Sequence, residues 1–484
     1  MSSDQLLIPG RTCWRVERAD RCAYIIDAAD YFKHVKTAML RARHRIVLIG
    51  WDFDARTTFE RGVKTLPGPN QLGAFLYWML WKRPALEIYL LKSNLRLLPA
   101  FDGIWFGLTP VALVNQISSR RIHFAIDGAH PTGSVHHQKI VAVDDSVAFC
   151  GGIDLTVDRW DTRAHDHDGP VRRTLGRGYG PRHDVAAAVD GAAARALGEQ
   201  ALQRWQTATK QSLDPVTAKH TAWPSKLEPA LRDVDVGIAL TLPELGRRPE
   251  TRQVEALNLA AIAAARDSIY LENQYLASRR VVDALAARLK EDDGPEIVIV
   301  IARRGNNPLE RGTMDSARHR LIQVLWAADE HRRLGIYWPV TDGGAPIYVH
   351  SKVVVVDDRF LRIGSSNLNN RSMGFDSECD LAIEAAPASN DDRVRAQITA
   401  LRSQLVAEHL GVSVGEFEDA TRQRGSVLGA VEALRGEGKT LRPFTEGTVA
   451  DEAGPLAENE LMDPDHVPRS LTRSVQRFIT GLRG

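Results

Sequence analysis

His137-Gln138-Lys139-Ile140-Val141-Ala142-Val143-Asp144 has a second copy further along the same chain, His350-Ser351-Lys352-Val353-Val354-Val355-Val356-Asp357. Each copy reads His-x-Lys, four apolar residues and Asp. Each also leads into a glycine-containing segment, which reaches Asp154 after the first copy and Asn367 after the second. One such string could arise by accident. Two strings in matching surroundings indicate a duplicated unit, with half of one active site in each copy.

The sequence before each copy alternates between helical and strand patterns in the same order. Apolar spacing predicts helices at 28–43, 71–81, 252–266 and 280–289, and strands at 46–51, 86–91, 269–274 and 296–301. This alternation is typical of an α/β layer fold. We therefore predict a first half at 1–215 and a second half at 216–405, joined by a crossover at 206–229 and followed by a C-terminal appendage at 406–484.

Composition indicates an ordinary soluble protein. The chain has 484 residues, of which 44% are hydrophobic and 25% charged, and this length is natural for two domains. A net charge of +1 predicts no overall attraction to nucleic acid or anionic lipid. The four cysteines have no metal-ligand spacing, so we expect them to be reduced and structural. With no signal peptide and no membrane-spanning apolar run, a cytoplasmic or peripheral membrane location is expected, and secretion as an effector is also compatible with the sequence.

Two further segments have two interpretations each. The loop at 158–183 contains His165-Asp166-His167-Asp168, which could bind a metal, although we favour a solvated loop that borders the site entrance. Composition after Val406 predicts a loosely packed appendage. Its end, 469–484, has the pattern of a short basic amphipathic helix. We favour docking of this helix on its own protein over binding to an anionic membrane surface.

Each motif predicts a β-hairpin whose open end forms a polar site. In a strand, residues two apart share a face, so His137 and Lys139 should project together, and likewise His350 and Lys352. Turns centred on residues 145 and 358 would place 153–154 opposite His137 and 366–367 opposite His350. Asp154 and Asn367 should therefore lie beside the two His-Lys pairs.

These side chains suit the cleavage of a phosphodiester. Lysines and an amide can hold the non-bridging oxygens, while one neutral histidine attacks phosphorus and the other protonates the leaving alcohol. Water or another alcohol would then resolve the phosphohistidine. No ligand set accompanies these groups, so we predict a metal-independent reaction with no cofactor. Asp144 and Asp357 are predicted to be structural, because the apolar strand carries them away from the histidines.

The duplicated motif resembles the defining motif of the phospholipase D superfamily. Other segments resemble its eukaryotic-type branch: Gly152-Ile153-Asp154-Leu155, Arg159-Trp160-Asp161-Thr162, Arg182-His183-Asp184-Val185, Ile269-Tyr270-Leu271-Glu272-Asn273-Gln274-Tyr275, Asn370-Arg371-Ser372-Met373 and Leu441-Arg442-Pro443-Phe444. The resemblance covers about residues 20–445. It implies two similar α/β/α sandwich halves with the active site at their interface. The implied reaction is hydrolysis or transfer of the phosphatidyl group of glycerophospholipids.

The resemblance also implies roles for individual residues. His137 would be the nucleophile and His350 the general acid, with Lys139, Lys352 and Asn367 on the phosphate.

Acidic residues are implied as partners of the two histidines. Glu378 is expected to pair with His137 and Asp184 with His350, each raising the pKa of its imidazole. Asp154 stands where many bacterial members have Asn, so we expect it to bind backbone donors or lysine. His136 should face away from the site, and we predict no catalytic role for it.

The expected partners are a phospholipid at a membrane surface and water or an alcohol as acceptor, with no nucleic acid. The sequence leaves the oligomeric state open. A cardiolipin synthase-type transphosphatidylase is the alternative function. A nucleic-acid phosphodiesterase is less favoured because the chain is near neutral, and an inactive scaffold because both motifs are intact.

Overall fold

The computed structural model describes residues 5–94, 105–106, 109–110, 120–216, 220–305, 315–385, 391–450 and 463–464. The strands are β1 (Arg15–Ile26), β2 (Arg45–Gly50), β3 (Glu87–Ser93), β4 (Trp105–Phe106), β5 (Thr109–Pro110), β6 (Ile122–Asp127), β7 (Ile140–Val143), β8 (Val147–Gly151), β9 (Arg173–Thr174), β10 (Arg177–Gly178), β11 (Arg182–His183), β12 (Val185–Asp190), β13 (Leu231–Leu242), β14 (Thr251–Arg252), β15 (Ser268–Asn273), β16 (Glu296–Ile301), β17 (Leu334–Val340), β18 (Tyr348–Val349), β19 (Val353–Val356), β20 (Phe360–Gly364), β21 (Glu378–Glu384) and β22 (Thr440–Pro443). The helices are α1 (Ala28–Leu40), α2 (Leu72–Lys82), α3 (Gly191–Thr209), α4 (Gln253–Ala264), α5 (Arg279–Leu289), α6 (Ser316–Ala328), α7 (Asp392–Leu410), α8 (Val414–Arg424), α9 (Val427–Leu434) and α10 (Glu446–Ala450), and a π-helix spans Arg371–Phe375.

One large sheet runs through both halves and repeats its strand order. Toward the centre, the first half reads β6-β3-β2-β7-β8-β12-β1, and the second half reads β17-β16-β15-β19-β20-β21-β13, with β22 added as an extra edge strand outside β17. The two innermost strands, β1 and β13, pair antiparallel and join the halves. At the outer edge of each half, three neighbouring strands run parallel. The duplication seen in the sequence is therefore a duplication of topology.

Both faces of the sheet are covered, which produces the α/β/α layering. One face carries α3 and α7 in a single apolar cluster that spans both halves. The other face carries α1 and α2 in the first half and α4, α5 and α6 in the second. Strand residues alternate between the layers: Val47 and Ile49 join the shared cluster, whereas Ile46 and Leu48 pack under α1 and α2. Near-continuous apolar strands follow from burial on both faces. The predicted fold class is confirmed.

The elements predicted from periodicity match the structure closely, including both hairpins. Ile140 pairs with Cys150 and Val353 with Ile363, which is the register expected for turns centred on 145 and 358. All four cysteines are buried and free, as expected. No helix in the described residues combines the length and apolar character needed to cross a bilayer.

The His-x-Lys residues do not continue the hairpin strands, so that part of the prediction is wrong. β7 begins at Ile140 and β19 at Val353. The backbone N–H of His137 instead donates to the carbonyl of Ser377 at 2.9 Å, and that of His350 donates to the carbonyl of His183 at 2.7 Å. Each motif therefore leaves its own hairpin because its backbone hydrogen bonds go to the other half.

The expected loose packing after Val406 is also wrong for the described part of that segment. Helix α7 runs through this position to Leu410, so it crosses the predicted start of the appendage. Phe417 of α8 and Val427 of α9 are buried in the shared cluster, and β22 pairs with β17. The basic helix predicted at 469–484 lies outside the described residues.

The aspartates that end the two motifs have matching contacts. Asp144 accepts the backbone N–H groups of residues 43–45 at 2.6–2.8 Å, and Asp357 accepts those of residues 266–268 at 2.8–3.0 Å. Both sit in the left-handed region, at φ 52° and 53°. Each carboxylate thus fastens its hairpin turn to the start of the neighbouring strand, β2 or β15. These contacts support the structural role predicted for both residues.

Asp357→Ala should lower the free energy of unfolding by about 3 kcal/mol, because three backbone donors lose a charged acceptor. The shift in the urea unfolding midpoint measures this effect. The exposed neighbour is a matched control: Asp358 pairs only with Arg395 at the surface in the described contacts, so Asp358→Ala should cost no more than about 0.5 kcal/mol. Equal losses for the two variants would contradict the structural role of Asp357.

Candidate active site

His137 is held by a carboxylate from the other half of the chain. Its Nδ1 lies 3.0 and 3.1 Å from the two carboxylate oxygens of Glu378 on β21. A short parallel bridge between His136 and Ser377 brings the two segments together. Glu378 is fully buried, and its oxygens also accept hydrogen bonds from the hydroxyls of Ser365 and Ser372, at 2.5 and 2.6 Å. With Nδ1 engaged in this way, Nε2 of His137 is the nitrogen left for a substrate.

His350 has the reciprocal arrangement. Its Nδ1 lies 2.7 Å from Oδ2 of Asp184, a residue of the first half. The parallel pairing of β11 with β18 positions the two, because Asp184 follows β11 and His350 follows β18. Both side chains are largely buried, with exposed fractions of 10% for His350 and 8% for Asp184. The structure thus contains both of the expected pairs, Glu378 with His137 and Asp184 with His350.

The two lysines lie at the same place in their halves. Lys139 Nζ donates to the carbonyl of His137 at 3.0 Å and lies 3.3 Å from Asp154 Oδ2. Lys352 Nζ donates to the carbonyl of His350 and, at 3.3 Å, to Gln274 Oε1. Each ammonium group is thus held against the backbone of the histidine two residues before it.

Asp154 and Asn367, which follow the two hairpins, differ in their contacts. Asp154 Oδ1 accepts the backbone N–H of Trp51 at 2.9 Å, and Oδ2 faces Lys139, as the sequence predicted. The buried side-chain oxygen Oδ1 of Asn367 accepts no hydrogen bond in the described residues. An unsatisfied buried amide is unusual and is consistent with a polar group being bound there.

The expectation that the carboxylates raise the imidazole pKa values is wrong. Burial, followed by the charges of Lys139 and Lys352, holds the pKa of His137 well below its usual range. Burial and then Lys352 likewise lower the pKa of His350. Burial also raises the pKa of Glu378 to about 8, although Lys139 opposes the shift. The cost of burying charge outweighs the pairing, so His137 is neutral at neutral pH and its Nε2 carries a free electron pair.

Several supporting residues were not found from the sequence. Ser365 and Ser372 orient Glu378, Gln274 contacts Lys352, and Gln138 donates to the carbonyl of Glu378 at 3.1 Å. The signal available for Ser365 was its position in the segment that ends at Asn367. Periodicity carries no signal for the others: Gln274 and Gln138 act through contacts 78 and 240 residues away, and Ser372 acts through one six residues away. The signal available for Ser372 and Gln274 was their place in segments that resemble the eukaryotic-type branch.

His136 and His165 are buried and have partners outside the two His-Lys pairs. His136 is fully buried, and its Nδ1 lies 2.7 Å from Ser377 Oγ, in keeping with the prediction that it is not catalytic. In the loop at 158–183, Asp166, His167 and Asp168 are exposed, but His165 is completely buried. The expected solvated loop is therefore wrong for His165, because its ring packs among carboxylates between the two halves.

Comparisons with known proteins agree with this geometry. The family profile described as phospholipase D matches residues 340–451, which include the second motif. Phospholipase D alpha 4 of Arabidopsis thaliana is 24% identical over 87% of this chain and 68% of its own length. Phospholipase D1 of Saccharomyces cerevisiae is 23% identical over 82% of this chain but only 29% of its own length. The chain thus spans about two thirds of the plant relative and under a third of the yeast relative.

A solved structure supports the fold. Phosphatidylserine synthase of Haemophilus influenzae superposes with a TM-score of 0.54 at 15% identity, over 81% of this chain and 88% of its own. The duplicated topology and the paired His-x-Lys site are those that the resemblance to the phospholipase D superfamily implies, and the family profile and the relatives support that resemblance. The similarity to the plant and yeast proteins supports the resemblance to the eukaryotic-type branch.

Glu378→Gln should lower kcat by about 10²- to 10⁴-fold with little change in KM, because an amide no longer fixes the tautomer that leaves Nε2 of His137 unprotonated. Steady-state kinetics on a phosphodiester measure this effect. Glu384→Gln is a matched control on the same strand, since Glu384 contacts Arg359 and not a histidine. A similar loss of kcat in both variants would contradict the orienting role of Glu378.

Proposed function

We propose that this protein is a phosphodiesterase that hydrolyses or transfers the phosphatidyl group of glycerophospholipids through a covalent phosphohistidine. The observation that carries the proposal is the pair of histidines, each held at Nδ1 by a carboxylate of the opposite half. This arrangement fixes two imidazoles in the same tautomer on either side of one interface. A reaction with two inversions at phosphorus needs a nucleophile and an acid placed in this way.

In the first step, Nε2 of His137 attacks phosphorus, and the bond from phosphorus to the head-group oxygen breaks. The proton on Nε2 of His350 passes to that oxygen, so the head group leaves as an alcohol. His350 must be protonated at this stage. The negative phosphate brought beside it favours the charged imidazole and offsets the effect of burial.

In the second step, the neutral His350 takes a proton from water or from an acceptor alcohol, whose oxygen attacks the phosphohistidine. The bond from phosphorus to His137 breaks, and His137 is regenerated. Lys139, Lys352 and Asn367 hold the non-bridging oxygens, whose negative charge is most in need of donors when phosphorus is five-coordinate. Protein side chains supply every group in both steps.

A basic groove beside His350 supports an anionic substrate. It has a volume of about 280 Å³ and is lined in part by Arg182, Arg303, Arg304 and Tyr348. The Tyr348 ring lies 6.4 Å from the His350 ring, between centroids. We propose that the protein meets its lipid at the membrane surface from the aqueous side, with the lipid phosphate drawn toward this groove.

The decisive assay offers the purified chain phosphatidylcholine vesicles with ethanol, and separately a labelled oligonucleotide. Phosphatidylethanol and choline should form, and His137→Ala and His350→Ala should each lose at least about 10³-fold in rate. The ratio of phosphatidylethanol to phosphatidic acid separates transfer from hydrolysis. Phosphatidylglycerol as acceptor tests the cardiolipin synthase alternative. Cleavage of the oligonucleotide alone would overturn the proposal.

Trapping of the phosphoenzyme identifies the nucleophile. With phospholipid labelled in its phosphatidyl group and a rapid quench in alkaline denaturant, which preserves the acid-labile phosphorus–nitrogen bond, the wild type and His136→Ala should both carry label, whereas His137→Ala should carry none. Label in His137→Ala but not in His136→Ala would assign the attack to the neighbouring histidine.

The ratio kcat/KM should fall as pH rises through about 7. Burial, with the charge of Lys139 adding to it, lowers the pKa of Lys352 to about 7, although Asp184 opposes the shift. Below this pH the ammonium group attracts the phosphate, and above it the neutral amine does not. Measurements of kcat/KM from about pH 5.5 to about pH 9 test this fall. The variant Lys352→Arg keeps its charge over this range, so its kcat/KM should not fall through about pH 7, even if it is lower than that of the wild type. A constant kcat/KM across this range would contradict the assignment to Lys352.

A further inference from the structure

Four buried side chains from separate parts of the chain converge next to the His350–Asp184 pair. Asp27 precedes α1, His165 lies in the loop after β8, His183 ends β11, and Glu408 lies on α7. The first three are almost completely inaccessible, and Glu408 exposes only 9%. Each contributes one nitrogen or oxygen to a group of atoms that all lie within 4.8 Å of one another. The group joins the first half to the helix that closes the second.

The distances between nitrogen and oxygen atoms in this group are close to the distances between ligand atoms around a single metal ion. His165 Nε2 lies 3.4 Å from Asp27 Oδ2 and 3.3 Å from Glu408 Oε1, and His183 Nδ1 lies 3.2 Å from the same Glu408 oxygen. The other Asp27 oxygen, Oδ1, lies 3.3 Å from His183 Nδ1. A tetrahedral ion with bonds of about 2.0–2.1 Å separates its ligand atoms by about 3.3–3.4 Å. The three distances that join Asp27 Oδ2, His165 Nε2, Glu408 Oε1 and His183 Nδ1 therefore have the length of edges of such a tetrahedron.

The atoms that face the centre are left without ordinary partners. His183 Nδ1 and Asp27 Oδ2 are buried and make no hydrogen bond. Of the four contacts, only the one between His165 and Glu408 has the geometry of a hydrogen bond. Buried polar atoms that approach one another without bonding directly are expected when they are directed at a common ion.

The atoms that face outward are all anchored. His165 Nδ1 lies 3.0 Å from Asp161, and His183 Nε2 lies 3.0 Å from Glu272. These bonds fix the tautomers that leave His165 Nε2 and His183 Nδ1 free, which is the support that metal-bound histidines receive in proteins. Glu272 also accepts from His409 Nε2 at 2.9 Å. His183, Glu272 and His409 are thus bonded among themselves and form the outer support of the site.

We propose that Asp27, His165, His183 and Glu408 bind one Zn²⁺ ion. Two neutral imidazoles and two carboxylates with a divalent cation have no net charge, which a buried site requires. Two nitrogen and two oxygen ligands in a tetrahedron suit zinc, whereas calcium and magnesium take six or more oxygens.

The ion has a positioning role. Asp27 Oδ1 accepts the backbone N–H of Asp184 at 3.0 Å, and Asp184 in turn holds His350. The zinc ligands therefore fix the residue that orients the proposed general acid, while the reacting groups themselves are not ligands. The inference goes beyond the proposed function and does not depend on it.

The metal content of the folded full-length chain tests the proposal directly. Protein produced without a polyhistidine tag and purified without chelator should contain one zinc per chain by mass spectrometry of the element. Cells grown with cobalt in place of zinc should give protein with the intense visible absorption of four-coordinate Co²⁺. Both measurements are independent of lipid turnover, so an inactive protein that binds zinc would overturn the proposed function but not this site.

Two glutamine variants of the same loop give a matched comparison. His165→Gln should lose the zinc and the cobalt absorption, whereas His167→Gln, an exposed neighbour whose ring contacts Thr341, should keep both. If His165→Gln does not fold, the wild-type zinc content and cobalt spectrum decide alone. A folded wild type without divalent metal and without cobalt bands overturns the proposal and leaves a cluster of imidazolium–carboxylate pairs. Equal zinc in His165→Gln and the wild type also overturns it.

Discussion

Each half of the chain supplies the carboxylate that holds the other half's candidate catalytic histidine, and the geometry of the site depends on this exchange. Glu378 reaches back to His137, and Asp184 reaches forward to His350. The exchange is possible because β1 and β13 pair antiparallel at the centre of the sheet, so corresponding edges of the two halves meet across an approximate two-fold relation. Neither half alone contains a histidine with its orienting carboxylate. The duplication therefore builds one site and not two, and the junction between halves must be rigid for the site to exist.

Burial sets the protonation of this site more strongly than pairing does. Burial is the main cause that raises the pKa of Glu378 to about 8 and lowers the pKa of Lys352 to about 7. The histidines are driven toward their neutral forms by the same cause. The free site thus holds fewer charges than its residue types suggest. A phosphate anion that enters supplies the missing negative charge, which favours the ammonium group and one imidazolium at the moment when both are needed.

The local pattern of apolar residues predicted many of the helices and strands of this protein. The features that it missed depend on contacts between residues far apart in the sequence. The predicted helices and strands and the register of both hairpins follow from apolar periodicity and turn position, and the register of the first hairpin is consistent with the contact between Asp154 and Lys139. The bond between His137 and Glu378 spans 241 residues, so periodicity carries no trace of it, and it was expected only from the family resemblance. The strand assignment of the His-x-Lys residues failed for the same reason, because the other half takes their backbone hydrogen bonds. Burial of His165 was missed because its neighbours in sequence are exposed.

The two halves repeat the topology but support their carboxylates differently. The hydroxyls of Ser365 and Ser372 donate hydrogen bonds to the two carboxylate oxygens of Glu378. Asp184 is instead tied through its backbone to Asp27 and so to a cluster of histidines and acids. A symmetric pair of histidines would have no reason to divide the work of attack and proton transfer. The unequal support makes the two histidines inequivalent, since hydroxyl donors hold the carboxylate behind His137 whereas the backbone of the carboxylate residue behind His350 is tied to the buried ionic cluster. The proposed division, with His137 as nucleophile and His350 as acid and base, requires two inequivalent histidines.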